Sequence, residues 1–92
     1  NTKALPNVLY FKNKKILIIN KGGSYFVVES PDVILLVNNP KINLDRVIQD
    51  CKPKLIIADG SNSKFNCKLW KATCEKEKIP FHNTFEKGFY KL

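Results

Sequence analysis

Two short polar runs, Asn38-Asn39-Pro40-Lys41 and Asp59-Gly60-Ser61-Asn62-Ser63, hold most of the side chains in this sequence that could take part in chemistry. Each follows an apolar run and precedes helical spacing, which predicts two neighbouring loops at the carboxyl ends of strands, where helices begin. Small hydroxyls and free backbone N–H groups at a helix start favour an anion such as phosphate. The same residue types also serve as caps and turn formers that need no ligand. His82 is the one imidazole of the chain, and with Asp59 it raises acid–base work or a metal site. A catalytic divalent site usually takes three protein ligands, however, and there is no second His to give HxH or HxxxH spacing. A structural His82, hydrogen-bonded near a strand start, is the plainer expectation.

Asp32 together with Asp50-Cys51-Lys52 matches the acid-and-lysine order of restriction-type nucleases only in form. That chemistry needs the second acid and the Lys on a strand, whereas here they fall at the end of a predicted helix just before Pro53. Ser61 and Ser63 have no nearby base, and no Walker-type or dinucleotide glycine fingerprint is present. Cys51, Cys67 and Cys74 are odd in number and lack CxxC spacing, so neither a disulfide framework nor a zinc finger is indicated. On one helix, Cys67 and Cys74 would stand roughly 10 Å apart, too far to bridge, and buried reduced thiols are expected.

The elements that must position these groups begin with β-rich segments at residues 8–12 and 15–20, joined by Asn13-Lys14 as a hairpin. Gly22-Gly23 supplies a second turn, residues 25–29 a third strand, and Ser30-Pro31 closes an N-terminal meander over 1–31. From Asp32 the pattern changes. Residues 33–37 and 55–58 are continuous apolar runs, as in parallel strands covered by helices on both faces. Between them, Asn43 is a candidate N-cap, Leu44, Val47, Ile48 and Cys51 have helical spacing, and Ile42 with Val47 forms a hydrophobic staple. A second helix is predicted over 64–78, with Phe65, Leu69 and Ala72 on its apolar face and Lys64, Lys68, Lys71 and Lys78 on its wet one. Trp70 and Phe65 are expected in the core rather than as base-stacking platforms. An extended stretch at 79–82 and a last short strand at 89–92 complete a β-α-β-α-β part over 32–92. The expected fold class is α/β, a small mixed sheet within a single domain spanning 1–92.

The 92 residues carry 16 Lys+Arg against 8 Asp+Glu, for a net charge of +8, and 43% are apolar. That apolar content is too high for a disordered tail, and no run approaches the ~20 apolar residues needed to span a bilayer. The excess of cations suits a polyanion such as DNA or RNA, or an anionic lipid surface. Arg46 is the one arginine, so nearly all of these cations are compact point charges, suited to phosphate but not to bidentate base reading. The chain begins at Asn1 without the order of a signal peptide, as expected of a piece of a longer polypeptide.

The order of residues from Asp32 to Leu92 resembles the C-terminal part of the metallo-β-lactamase-like domain of ComEC-type competence proteins, the membrane channels of bacterial DNA uptake. The resemblance is carried by Ile56-Ile57-Ala58-Asp59-Gly60-Ser61-Asn62, Trp70-Lys71, Cys74, Ile79-Pro80-Phe81-His82 and Thr84-Phe85-Glu86-Lys87-Gly88. It is similar to members of the Bacteroidetes group. Asn38-Asn39 stand where that family has paired histidines, and no His lies between Asn62 and Leu69, so two ligand positions are vacant. A carboxamide is a poor ligand for Zn²⁺ or Mn²⁺ compared with imidazole or carboxylate.

The resemblance implies a domain of a bacterial inner-membrane DNA-uptake protein, on a side of the membrane left open, with the membrane-embedded remainder of its parent chain as one partner, while the vacant ligand positions point to a non-catalytic, metal-free and cofactor-free copy. A second implied partner is the DNA phosphate backbone, held by Lys41, Lys64, Lys68 and Lys71 with the Ser61-Asn62 helix start. Asn38, Asn39, Asp59 and His82 would then mark a degenerate site. Two alternatives stand beside this: a metal-dependent nuclease completed by residues upstream, and a purely structural module.

Overall fold

The computed structural model describes residues 8–21 and 29–84. Strands β1 (Val8–Phe11) and β2 (Lys14–Ile19) form an antiparallel hairpin in the register Phe11↔Lys14. The two-residue turn is therefore Lys12-Asn13, one position earlier than the sequence suggests, with both residues at positive φ (50° and 63°). Asn readily tolerates that conformation. Lys at the first position does not advertise it, which explains the misplaced turn.

Beyond the hairpin come β3 (Val33–Leu36), α1 (Leu44–Cys51), β4 (Ile56–Ala58), α2 (Lys64–Glu77) and β5 (Phe81–Asn83). They complete a five-stranded mixed sheet in the order β1-β2-β3-β4-β5, in which β2 to β5 run parallel. The β3-α1-β4-α2-β5 succession is the one expected from the apolar runs and caps. The expected strand at 25–29 lies mostly outside the described residues, Glu29 itself being a bend, and the strand at 89–92 lies wholly outside them.

Side chains alternate along each strand, so the parallel strands have two apolar faces. Leu17, Ile19, Ile34, Leu36, Ile56 and Ala58 point to one face, where they pack with Leu44, Val47, Ile48 and Cys51 of α1 and Cys67, Trp70 and Cys74 of α2. Each large side chain removed from water there contributes about 1.5–3 kcal/mol, which makes this face the main source of stability. Ile16, Val33 and Ile57 occupy the other face with the half-buried Ile18, Leu35 and Leu55. The expectation of helices on both faces is thus corrected: both described helices lie on the same one.

Local signals fix the helix ends. Asn43 caps α1 by accepting the Arg46 N–H at 3.3 Å, and Ile42 packs against the cluster that holds Val47, as the staple requires. Ser63 caps α2 by accepting the Asn66 N–H at 3.1 Å. Both helices stop on a left-handed lysine, Lys52 and Lys78, and Pro53 prevents α1 from continuing. Lys76 Nζ reaches Asp45 Oδ2 at 2.8 Å, tying α2 to α1.

Candidate functional site

The loops after β3 and β4 lie side by side, as their place in the topology demands. Asn38 and Asn39 both take positive φ (58° and 52°), a conformation in which a short carboxamide is tolerated and can bond locally. Their backbone turns toward the β4 loop. Asn38 N–H donates to Ser61 Oγ at 2.7 Å and Asn39 N–H to Asn62 Oδ1 at 2.8 Å. In return, Asn39 Oδ1 accepts the Ser63 N–H at 2.6 Å and Asn66 Nδ2 at 3.1 Å. Asn62 is only 5% exposed, and its Nδ2 donates to the Leu36 carbonyl at 2.7 Å and the Asp59 carbonyl at 3.1 Å. Asp59 Oδ1 accepts the Ser61 N–H at 3.0 Å and also the Ser61 hydroxyl. Asn38 Nδ2 reaches Asn20 Oδ1, at the end of β2, at 2.9 Å.

These bonds join three strand ends and the start of α2 in one network. The expectation of free N–H donors at this helix start is overturned for Ser61, Asn62, Ser63 and Asn66, each of which donates within the fold. An anion placed here would also meet the Asp59 carboxylate. Asn62, expected to help hold phosphate, has both ends of its amide engaged inside and acts as a clamp between the loops. Such donor directions depend on how two strands align, which composition does not reveal.

Of the four residues expected to mark a degenerate site, Asn38, Asn39 and Asp59 come together. His82 stands on β5. It pairs in register with Ile57, part of the cluster on the face away from the helices, while Asn83 is the β5 residue level with Ala58 at the loop end. Among the described residues, no three His, Cys, Asp or Glu side chains come together as a group able to hold a metal ion. Asp50 closes an i,i+4 ion pair with Arg46 at 3.9 Å, and Lys52 is the α1 cap. Asp32 Oδ2 accepts the Lys15 N–H at 2.8 Å and its Oδ1 lies 3.4 Å from Lys54 Nζ, which together hold its carboxyl below the usual range. The nuclease-like order is therefore distributed over a strand start and a helix end. All three cysteines are buried and none is in a disulfide, and burial pushes the Cys74 thiol up to about 12, far from a reactive thiolate.

The lysines expected to meet phosphate are all exposed: Lys41 before α1, and Lys64, Lys68 and Lys71 along α2. Positions 64, 68 and 71 are i, i+4 and i+7, so they form one row on the helix. The opposite expectation for this helix is corrected. Phe65 and Leu69 are 75% and 53% exposed and Ala72 is exposed, while Cys67, Trp70 and Cys74 are buried. Both trios have helical spacing. Trp70 and two thiols fill the space against the sheet, and cysteine is among the most readily buried residue types, a signal that the sequence did carry.

The fold and loops together define an α/β domain whose strand-end loops are tied together by their own amides, with exposed lysines along the outer helix. Residues 2–92 match the family model described as the ComEC C-terminal domain, and the chain belongs to that family. This is a family of competence and DNA-uptake proteins and is membrane-associated. Neither a curated protein nor a solved structure matched the chain. Among the described residues, no helix is long and apolar enough to cross a membrane.

Proposed function

We propose that this chain is a non-catalytic domain of a DNA-uptake protein that grips the phosphate backbone of DNA through α2. Lys64, Lys68 and Lys71 supply the charges, Lys41 extends them, and Ser61 and Asn62 hold the start of the helix in place. The observation that supports this reading is that the three lysines share one helix face and are all exposed, while the polar loop groups beside them bond to one another.

The mechanism is contact without turnover. An ammonium group pairs with phosphate as a point charge and releases condensed counterions, so affinity falls steeply with salt and is blind to sequence. Three phosphate contacts correspond to a loss of about 40-fold in affinity between about 50 and about 200 mM salt. Fluorescence anisotropy with labelled single- and double-stranded oligonucleotides at those two concentrations tests this. Salt-independent binding, or no binding at low salt, would remove DNA from the account.

A further inference from the structure

The opposite end of the sheet carries a feature that DNA binding through α2 leaves unused. The Lys12-Asn13 turn immediately precedes β2, and β2 runs parallel to β3 and β4. The hairpin tip therefore lies at the amino-terminal ends of the parallel strands, away from the Asn38 and Asp59 loops. Tyr10 is 72% exposed there and Phe11 47%. As neighbours in a strand they point to opposite faces of the hairpin, so the two rings straddle its end. Lys12 and Lys14 are exposed beside them, with Lys12 Nζ 5.4 Å from the centre of the Phe11 ring. The exposed caps Lys52 and Lys78 add charge at the same end of the fold, where Asp32 is engaged by Lys15 and Lys54 and Asp50 by Arg46.

Two rings held in water on a tight turn are costly unless something covers them. A nucleic acid approaching from one side would use the lysines but leave one ring wet. A bilayer surface surrounds a protruding tip on both sides, takes Tyr and Phe at headgroup depth, and pairs lysines with anionic headgroups. We propose that the β1–β2 tip, through Tyr10, Phe11, Lys12 and Lys14, docks this domain on an anionic bilayer surface with the strand-end loops facing away from it. The family is membrane-associated, so a bilayer is at hand for such docking.

Flotation with vesicles of phosphatidylcholine alone, and of phosphatidylcholine mixed with phosphatidylglycerol, tests the proposal. The chain should float only with the anionic vesicles. Tyr10→Ser with Phe11→Ser should weaken that binding about tenfold or more, and Lys12→Gln with Lys14→Gln about tenfold. Phe65→Ser with Leu69→Ser should leave it unchanged, and an oligonucleotide in excess should not release the vesicles. The lysine variant changes exposed positions only, so it remains decisive if the aromatic variant loses its fold by circular dichroism. The proposal is overturned by absence of binding to anionic vesicles, by wild-type binding of the lysine variant, by loss of binding on changing Phe65 and Leu69, or by displacement with the oligonucleotide.

Discussion

The strand-end loops and the outer face of α2 are neighbours in space, yet they treat their polar groups in opposite ways. In the loops, Asn38, Asn39, Asp59, Ser61 and Asn62 satisfy one another's donors and acceptors and pin three strands to a helix. On α2, Lys64, Lys68 and Lys71 remain exposed. The position at which an open α/β sheet ordinarily gathers its chemistry is here a structural clasp, and the proposed contact with DNA lies instead on the helix that the clasp holds. Side-chain length accounts for much of the difference. Carboxamides and hydroxyls are short enough to bond across adjacent loops, whereas a lysine on the outer helix face carries its charge into water.

Substitutions of decreasing severity separate the two regions. Trp70→Ala should have the largest effect, because it removes a large side chain from the buried cluster that α1, α2 and the sheet share; a loss of about 3–5 kcal/mol in urea denaturation is expected, with both regions failing together. Asn62→Ala should cost about 1–3 kcal/mol by taking Oδ1 away from the Asn39 N–H and leaving the Leu36 carbonyl with the Asp59 N–H alone. Oligonucleotide affinity of the protein that remains folded should stay within about twofold if α2, rather than the clasp, meets phosphate. Lys64→Gln, Lys68→Gln and Lys71→Gln together should do the reverse, changing stability by no more than about 0.5 kcal/mol while reducing the salt slope of binding by about 3.

The smallest effect concerns acid. The Lys15 N–H, and after it Lys54, lower the Asp32 carboxyl in the folded chain. Its contribution is therefore present above its unfolded value and is lost as pH falls through the folded one. Asp32→Asn should lower stability slightly in the neutral region, flatten the acid side of a stability profile followed by circular dichroism, and converge with the wild type once the carboxyl is protonated.

Much of the scaffold is legible before any coordinates. Continuous apolar runs locate β3 and β4, Asn43 marks the start of α1, and Pro53 marks its stop, because each of these signals acts within a few residues. The hairpin turn slips by one position because a lysine occupies a left-handed site usually given to Asn or Gly. The buried face of α2 is ambiguous for another reason: Phe65, Leu69 and Ala72 compete with Cys67, Trp70 and Cys74 at equal spacing, and only the shape of the sheet surface decides between them. The adjacency of the two polar loops follows from topology. Their mutual saturation does not, since it depends on positive φ at Asn38 and Asn39, which rotates N–H groups toward Ser61 and Asn62.

The division of labour between clasp and helix is tested most directly by measuring oligonucleotide anisotropy across a salt series for the wild-type chain, the triple Lys64, Lys68 and Lys71 variant, and Asp59→Asn. Binding should be steep in salt for the wild type, collapse in the triple variant at low salt, and persist in Asp59→Asn. Binding that survives loss of the three lysines but disappears with Asp59 would place the contact in the loops and contradict the account.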